Sequence, residues 1–161
     1  MEMADLYRRY SGDVRRFVTF LSGDPAEAED VTAETFLRVW STRSELRMPT
    51  VRSYLFTIAR HLYLDRRRGR PETSDVEDRF VDPAPLPDTV ALKRHELKAV
   101  LAAVRRLPEV DRAALLMRGV EGMSYEEIAA SLGLGVSAAK VKVHRARRRL
   151  SAACRGGEEE S

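Results

Sequence analysis

The sequence predicts an all-α protein of two small helical domains joined by a flexible, acidic, proline-rich linker, the second domain containing a helix-turn-helix. Three observations carry that prediction. Apolar residues recur at helical spacing towards both ends of the 161-residue chain, and no segment alternates apolar and polar residues as a strand would. Prolines at 71, 83, 85 and 87 interrupt the middle, where each removes a backbone donor and turns its predecessor away from helix. Hydrophobic residues make up 43% of the chain, charged ones 33% and aromatic ones 7%, a balance that favours a soluble helical protein with packed cores.

On the first helix Leu6, Tyr10, Val14, Phe17 and Leu21 share a face. The second starts at Asp24 as N-cap, with Pro25 in the first helical position and Glu27 where a capping box places its acid. It runs through Ala28, Val31, Thr35 and Val39 to about Trp40. The third begins near Thr50, after Pro49, carries Val51, Leu55, Ile58 and Leu62, and ends about Arg68, where Gly69 and Pro71 stop it. Residues 71–89, PETSDVEDRFVDPAPLPDT, form the linker, because six acids repel one another and the few apolar residues have no period. A fourth helix over Leu92–Arg106 turns Leu97, Leu101 and Val104 inward. Leu107-Pro108-Glu109 breaks it and starts a fifth, lined by Val110, Ala114 and Met117 and ending in Gly119–Gly122. The chain thus divides into domains at 1–70 and 90–155, the linker at 71–89, and an acidic tail at 156–161.

Residues 123–150, MSYEEIAASLGLGVSAAKVKVHRARRRL, are the most informative stretch. Ser124 and Glu127 make a second capping box, Ile128, Ala129 and Leu132 form one short apolar face, and Gly133 breaks the helix before Leu134 packs back. Ala129 and Gly133 read as places where two helices approach closely. On the next helix, from about Val136, Ala139, Val143, Ala146 and Leu150 fall in one stripe. Ser137, Lys140, Val141, His144, Arg145 and Arg148 then point the other way. This is a helix-turn-helix, whose second helix enters the DNA major groove. Against the alternative of a helical hairpin inside a core stands the cost of burying Lys140, Lys142, Arg145, Arg147, Arg148 and Arg149 on one short helix. Lysine and arginine set position on phosphates, while Val141, His144 and Arg145 face outward where base edges are read.

Charge supports this division. Residues 1–71 hold 13 Lys/Arg against 10 Asp/Glu and residues 90–155 hold 14 against 6, whereas residues 72–89 hold one against 6 and the tail has three glutamates. Two basic bodies are separated by an acidic joint, and basic clusters attract phosphate.

Two further segments carry chemistry. SYLFTIARHLYLDRRRGR, Ser53–Arg70, sets Tyr54, Phe56 and Tyr63 beside Arg66, Arg67 and Arg68, a combination suited to unstacked bases. The same aromatics equally complete a small core. AEDVTAETFLRVW, Ala28–Trp40, shows Asp30 and Glu34 one turn apart and Phe36 and Trp40 one turn apart, more apolar surface than one bundle face needs. That surplus points to a protein partner. No catalytic constellation, Gly-rich phosphate loop or metal-ligand spacing of His61, His95 and His144 is present, so the expectation is no enzyme, no metal and no cofactor. Cys154 is the one cysteine and reads as a free thiol near the C-terminus. No apolar run nears the roughly 20 residues that span a bilayer, and the N-terminus lacks a signal-peptide core; a cytoplasmic protein without membrane insertion is expected.

In this order the three segments resemble the sigma-70 family, specifically the ECF (extracytoplasmic function, group IV) sigma factors of bacteria, over nearly the whole chain. AEDVTAETFLRVW is similar to the family's core-polymerase-binding helix, SYLFTIARHLYLDRRR to its promoter −10 segment, and LPEVDRAALLMRGVEGMSYEEIAASLGLGVSAAKVKVHRAR to its −35-reading domain. The resemblance implies an RNA polymerase sigma factor that binds core polymerase and directs initiation by −10 and −35 recognition. It implies that Asp30, Glu34, Phe36, Leu37 and Trp40 meet core polymerase at the β′ clamp helices, with the β flap as a second contact. It implies −10 contacts by Arg47, Met48, Thr50, Tyr54, Phe56, Arg60, His61, Arg66 and Arg67, the loop before Tyr54 capturing a flipped base. At −35, Lys140, Lys142 and Arg148 would hold phosphates, with Ser137, Val141, His144 and Arg145 on the same face. Partners implied are core RNA polymerase, promoter DNA and an anti-sigma factor, with the protein on the nucleoid when polymerase-bound. The alternative is a free-standing helix-turn-helix regulator, which would dimerise on a palindromic site.

Overall fold

The computed structural model describes residues 2–42, 49–69 and 88–159. Among these residues every regular element is a helix, as the sequence predicts: α1 (Met3–Ser22), α2 (Pro25–Thr42), α3 (Val51–Arg68), α4 (Asp88–Arg106), α5 (Glu109–Gly119), α6 (Tyr125–Leu132) and α7 (Val136–Glu159).

Helices α1 to α3 pack on one another around Leu6, Val14, Phe17, Leu21, Val31 and Leu55. Their ends are set locally. Gly23 closes α1 in the left-handed conformation (φ 73°), its N–H donating to the Thr19 carbonyl at 2.8 Å. The Asp24 carboxylate accepts from Ala26 N–H at 3.0 Å and Glu27 N–H at 3.3 Å, capping α2 as expected. Thr50 caps α3 by accepting from Ser53 N–H at 3.1 Å.

Helix α5 is the centre of the C-terminal half. Every residue from Asp111 to Met117 is buried, because α5 touches α1, α6 and α7 together. Two expectations are corrected. The docking face runs along α4 and into the turn after it, through Val100, Ala103, Val104 and Leu107, an i, i+3, i+4, i+7 stripe that keeps the expected Val104, leaves Leu101 half-buried and turns Leu97 out at 55% exposure. The helical regions also extend further than expected, α4 starting at Asp88 and α7 continuing to Glu159, within the segments read as linker and tail.

The two halves are in contact, through α3 with α6 and α1 with α4 and α5. The junction is polar: Arg105 on α4 donates to the Leu21 carbonyl at 2.6 Å, and three ion pairs cross in the other sense. Arg16 on α1 donates to both carboxylate oxygens of Glu121 (2.8 and 2.7 Å). Arg60 on α3 pairs likewise with Glu109 at 2.7 and 2.7 Å, and Arg52 reaches Glu127 at 3.2 Å. Thr57 and Ser131 share a buried hydroxyl contact at 2.9 Å. Each of these three ion pairs takes its cation from the N-terminal half and its anion from the C-terminal half.

Candidate nucleic-acid interface

The turn between α6 and α7 is built by short-range chemistry. Ser124 Oγ accepts from Glu127 N–H and the Glu127 carboxylate accepts from Ser124 N–H, both at 3.1 Å, completing the capping box. Gly133 ends α6 at φ 66°, and Leu134 N–H returns to the Ala129 carbonyl at 2.9 Å. The reason for glycine at 133 is this backbone conformation rather than a close helix approach, since a Cβ there would meet nothing within 4 Å.

On α7 the expected stripe is inside. Ala139, Val143 and Ala146 are fully buried, and Leu150 packs at the edge of the same cluster. That burial fixes the helix's rotation, so Ser137, Lys140, Val141, His144, Arg145 and Arg148 face solvent and Lys142 is half-buried. Val141 is 59% exposed on that face.

Several of these cations are held from below. Asp111 on α5 accepts from Arg145 Nε at 2.9 Å and Nη2 at 3.0 Å, and Lys142 Nζ lies 3.5 Å away. Burial pushes the Asp111 carboxyl up, but the Arg145 hydrogen bonds and the charges of Arg145 and Lys142 outweigh it and leave the group below its ordinary range. Lys140 Nζ sits 5.6 Å and the Arg118 guanidinium 4.5 Å from the Tyr125 ring centre.

The N-terminal candidates are more divided. Tyr54 is half-buried, its hydroxyl 3.4 Å from Thr42 Oγ1, and His61 is exposed. Phe56 is a core residue, fully buried and edge-on to Phe17 at 4.8 Å, so its ring presents no face for a base. Arg66 reaches Glu34 (3.4 Å) and Asp30 (3.8 Å) on α2, which ties a −10 candidate to two core-binding candidates. Arg67 donates to the Tyr63 hydroxyl. Arg60 and Thr50 both face the C-terminal half, Thr50 Oγ1 donating to Glu127 at 2.7 Å. Arg47 and Met48 lie outside the described residues.

Arg52 was missed by sequence reading. It donates to the Glu121 carbonyl at 3.1 Å as well as to Glu127. Burial raises the Glu127 carboxyl, but Ser124 N–H, Thr50 and Arg52 together bring it below its ordinary range. The one local signal was the capping box, which marks Glu127 as a group with several donors around it.

On α2 the exposed surface belongs to Leu37 (61%) and Trp40 (57%), which with Glu34, Arg38 and Ser41 line a shallow groove. Phe36 instead turns into the core, edge-on to Tyr7 at 5.1 Å. Among the described residues no group of His, Cys, Asp and Glu could hold a metal ion, and no helix is long and apolar enough to cross a membrane.

Comparison with known proteins adds to this geometry. Residues 6–72 match the family model described as Sigma-70 region 2, and residues 97–150 the one described as Sigma-70, region 4. The chain is 34% identical over 151 residues to the ECF RNA polymerase sigma factor SigE of Mycolicibacterium smegmatis, covering 91% of this chain but 59% of the relative's length. It is 34% identical over 142 residues to EcfG of Rhodopseudomonas palustris (86% of this chain, 77% of EcfG). With SigL of Mycobacterium tuberculosis it shares 30% over 153 residues (92% and 86%). Among solved structures, the sigma factor RpoE in complex with the anti-sigma factor NepR from Bartonella quintana superposes with a TM-score of 0.71 at 26% identity, covering 94% of this chain and 96% of that one. CnrH in complex with the cytosolic domain of CnrY gives 0.70 at 25% identity, over 93% and 85%.

Proposed function

Since the chain belongs to the ECF sigma factors of the sigma-70 family, we propose that it binds core RNA polymerase and directs initiation at promoters carrying −10 and −35 elements. The group IV assignment belongs to this reading. The observation that carries it is the outer face of α7, where a buried alanine and valine stripe turns Lys140, Val141, His144, Arg145 and Arg148 to solvent at the end of a capped helix-turn-helix.

Residues 90–155 read the −35 duplex through that face. Residues 1–70 carry the core-binding groove of Leu37 and Trp40 and the −10 reader, in which Tyr54, His61, Arg60, Arg66, Arg67, Thr50 and the loop containing Arg47 and Met48 meet unstacked bases and phosphates. Asp30 and Glu34 add charge beside the groove. Residues 71–89 join the readers, and residues 156–161 form a terminal extension. Arg60 and Thr50 reach nucleic acid by exchanging their glutamates for phosphates, which separates the two halves. Each reader is small, and they reinforce one another when polymerase fixes their spacing. The work is binding, with no bond chemistry, in the bacterial cytoplasm and on the nucleoid when polymerase-bound. An anti-sigma protein of the kind bound to RpoE in the solved complex is a further partner.

Transcription with purified core polymerase on genomic template tests this. Core binding and discrete start sites are expected. Tight, core-independent binding of a dimer to a palindrome would instead establish the free-standing regulator.

A further inference from the structure

Asp111 lies in the first turn of α5, a position where an acid normally faces water and the helix dipole. Here its side chain is 1% exposed. A carboxylate removed from water needs opposite charge and hydrogen bonds, and both partners come from the recognition helix. Arg145 supplies Nε and Nη2 at 2.9 and 3.0 Å, and Lys142 supplies Nζ at 3.5 Å. Neither partner is consumed by the contact. Their side chains remain 43% and 29% exposed.

The geometry of guanidinium decides what this arrangement can do. Its N–H donors form a rigid planar fork. Asp111 takes the edge made by Nε and Nη2, leaving the edge made by Nη1 and the outer N–H of Nη2. That second edge matches two adjacent acceptors such as guanine O6 and N7. A two-point bond also fixes the plane of the fork before DNA arrives, so ordering is completed in folding rather than on binding. Val141 and His144, next to Arg145 on the same exposed face, place it beside groove-facing residues.

We propose that Asp111 is a positioning residue for sequence reading, holding Arg145 by its Nε/Nη2 edge so that the free Nη1/Nη2 edge meets a guanine of the −35 element. Lys142, drawn to the same carboxylate, stands beside that contact as a phosphate ligand. The inference rests on the promoter-binding reading given above.

The test uses holoenzyme assembled from the full chain and core polymerase, selecting from promoters randomised across the −35 element. Asp111→Asn keeps the shape and removes the charge; Arg145→Lys keeps the charge and removes the fork. Each is expected to lose about tenfold of the preference for guanine at one shared position, the discrimination a bidentate contact supplies. Asp111→Asn combined with Arg145→Lys should lose no more than Arg145→Lys alone. Loss spread evenly over all sequences would mean that Arg145 meets phosphate and overturns the proposal. So would unchanged selection with a lowered melting temperature, the mark of a purely structural Asp111. If Asp111→Asn shows no cooperative melt, Arg145→Lys decides, since its side chain is exposed, and wild-type selection by that variant overturns the proposal. A wild type that selects no −35 sequence removes the promoter reading, and this inference with it. A wild type that selects one, matched by both single variants, removes this inference alone.

Discussion

Arg60 and Glu109 meet edge to edge, two guanidinium nitrogens each 2.7 Å from a carboxylate oxygen, and join α3 to α5 across 49 positions of sequence. Both side chains are largely shielded, at 11% and 20% exposure. Removing one member strands the other's charge in a poorly solvated place, which costs more than the pair's net worth. Glu109→Gln should therefore lower stability by about 1–3 kcal/mol and lengthen the distance between fluorophores placed on α1 and α7. A variant with wild-type melting and wild-type distance would show that the pair does not hold the halves together.

Acid should weaken this junction through Glu127, and the packing of α5 on α7 through Asp111. Asp111 and Glu127 both titrate below their ordinary values of 3.8 and 4.5. A depressed carboxyl contributes stability that is complete above its unfolded-state value and disappears as pH falls through its folded-state value. Denaturant melts should show these contributions intact down to about pH 4.5 and shrinking below it. Glu127→Gln should flatten that acid limb, and an unaltered limb would contradict the assignment.

The groove on α2 separates binding from folding. Trp40 and Leu37 are more than half exposed, so Trp40→Ala should leave the thermal melt within about 1 °C of wild type. It should weaken core-polymerase binding about tenfold or more, as expected of an aromatic anchor. Fluorescence titration against core polymerase measures this, and equal affinity would move the contact elsewhere.

Gly133 distinguishes two reasons for a glycine. Open space surrounds its missing Cβ while φ is 66°. Gly133→Asn should thus cost less than Gly133→Ala, which should cost about 1 kcal/mol. A steric reason would reverse that order, because asparagine is larger. Melting temperatures of the two variants decide.

What could be read from sequence was whatever is local. Caps at Asp24 and Ser124, and the stripe of Ala139, Val143 and Ala146, depend on neighbours within a few residues, and each is present in the structure. Aromatic residues were legible as apolar, but not as inside or outside. Phe36 and Phe56 fill cores while Trp40 does not, a difference set by which helix lies opposite. The joints were illegible. Glu109, Glu121 and Glu127 find arginines 49, 105 and 75 residues away, and nothing in a helical period records such a partner. Asp111 was hidden in the same way, since its partner is 34 positions on.

The one-way polarity of the three arginine–glutamate pairs has a consequence for how the chain tolerates change. Exchanging both members of the Arg16–Glu121 and Arg60–Glu109 pairs would keep those attractions, because they do not depend on which side is positive, whereas Glu127 also caps α6 and cannot be exchanged without losing that cap. The opened N-terminal half would then expose two glutamates in place of two arginines and attract a polyanion less. Variation at the junction is therefore asymmetric: of two arrangements of those pairs that attract the halves alike, one leaves the chain better able to approach DNA when it opens.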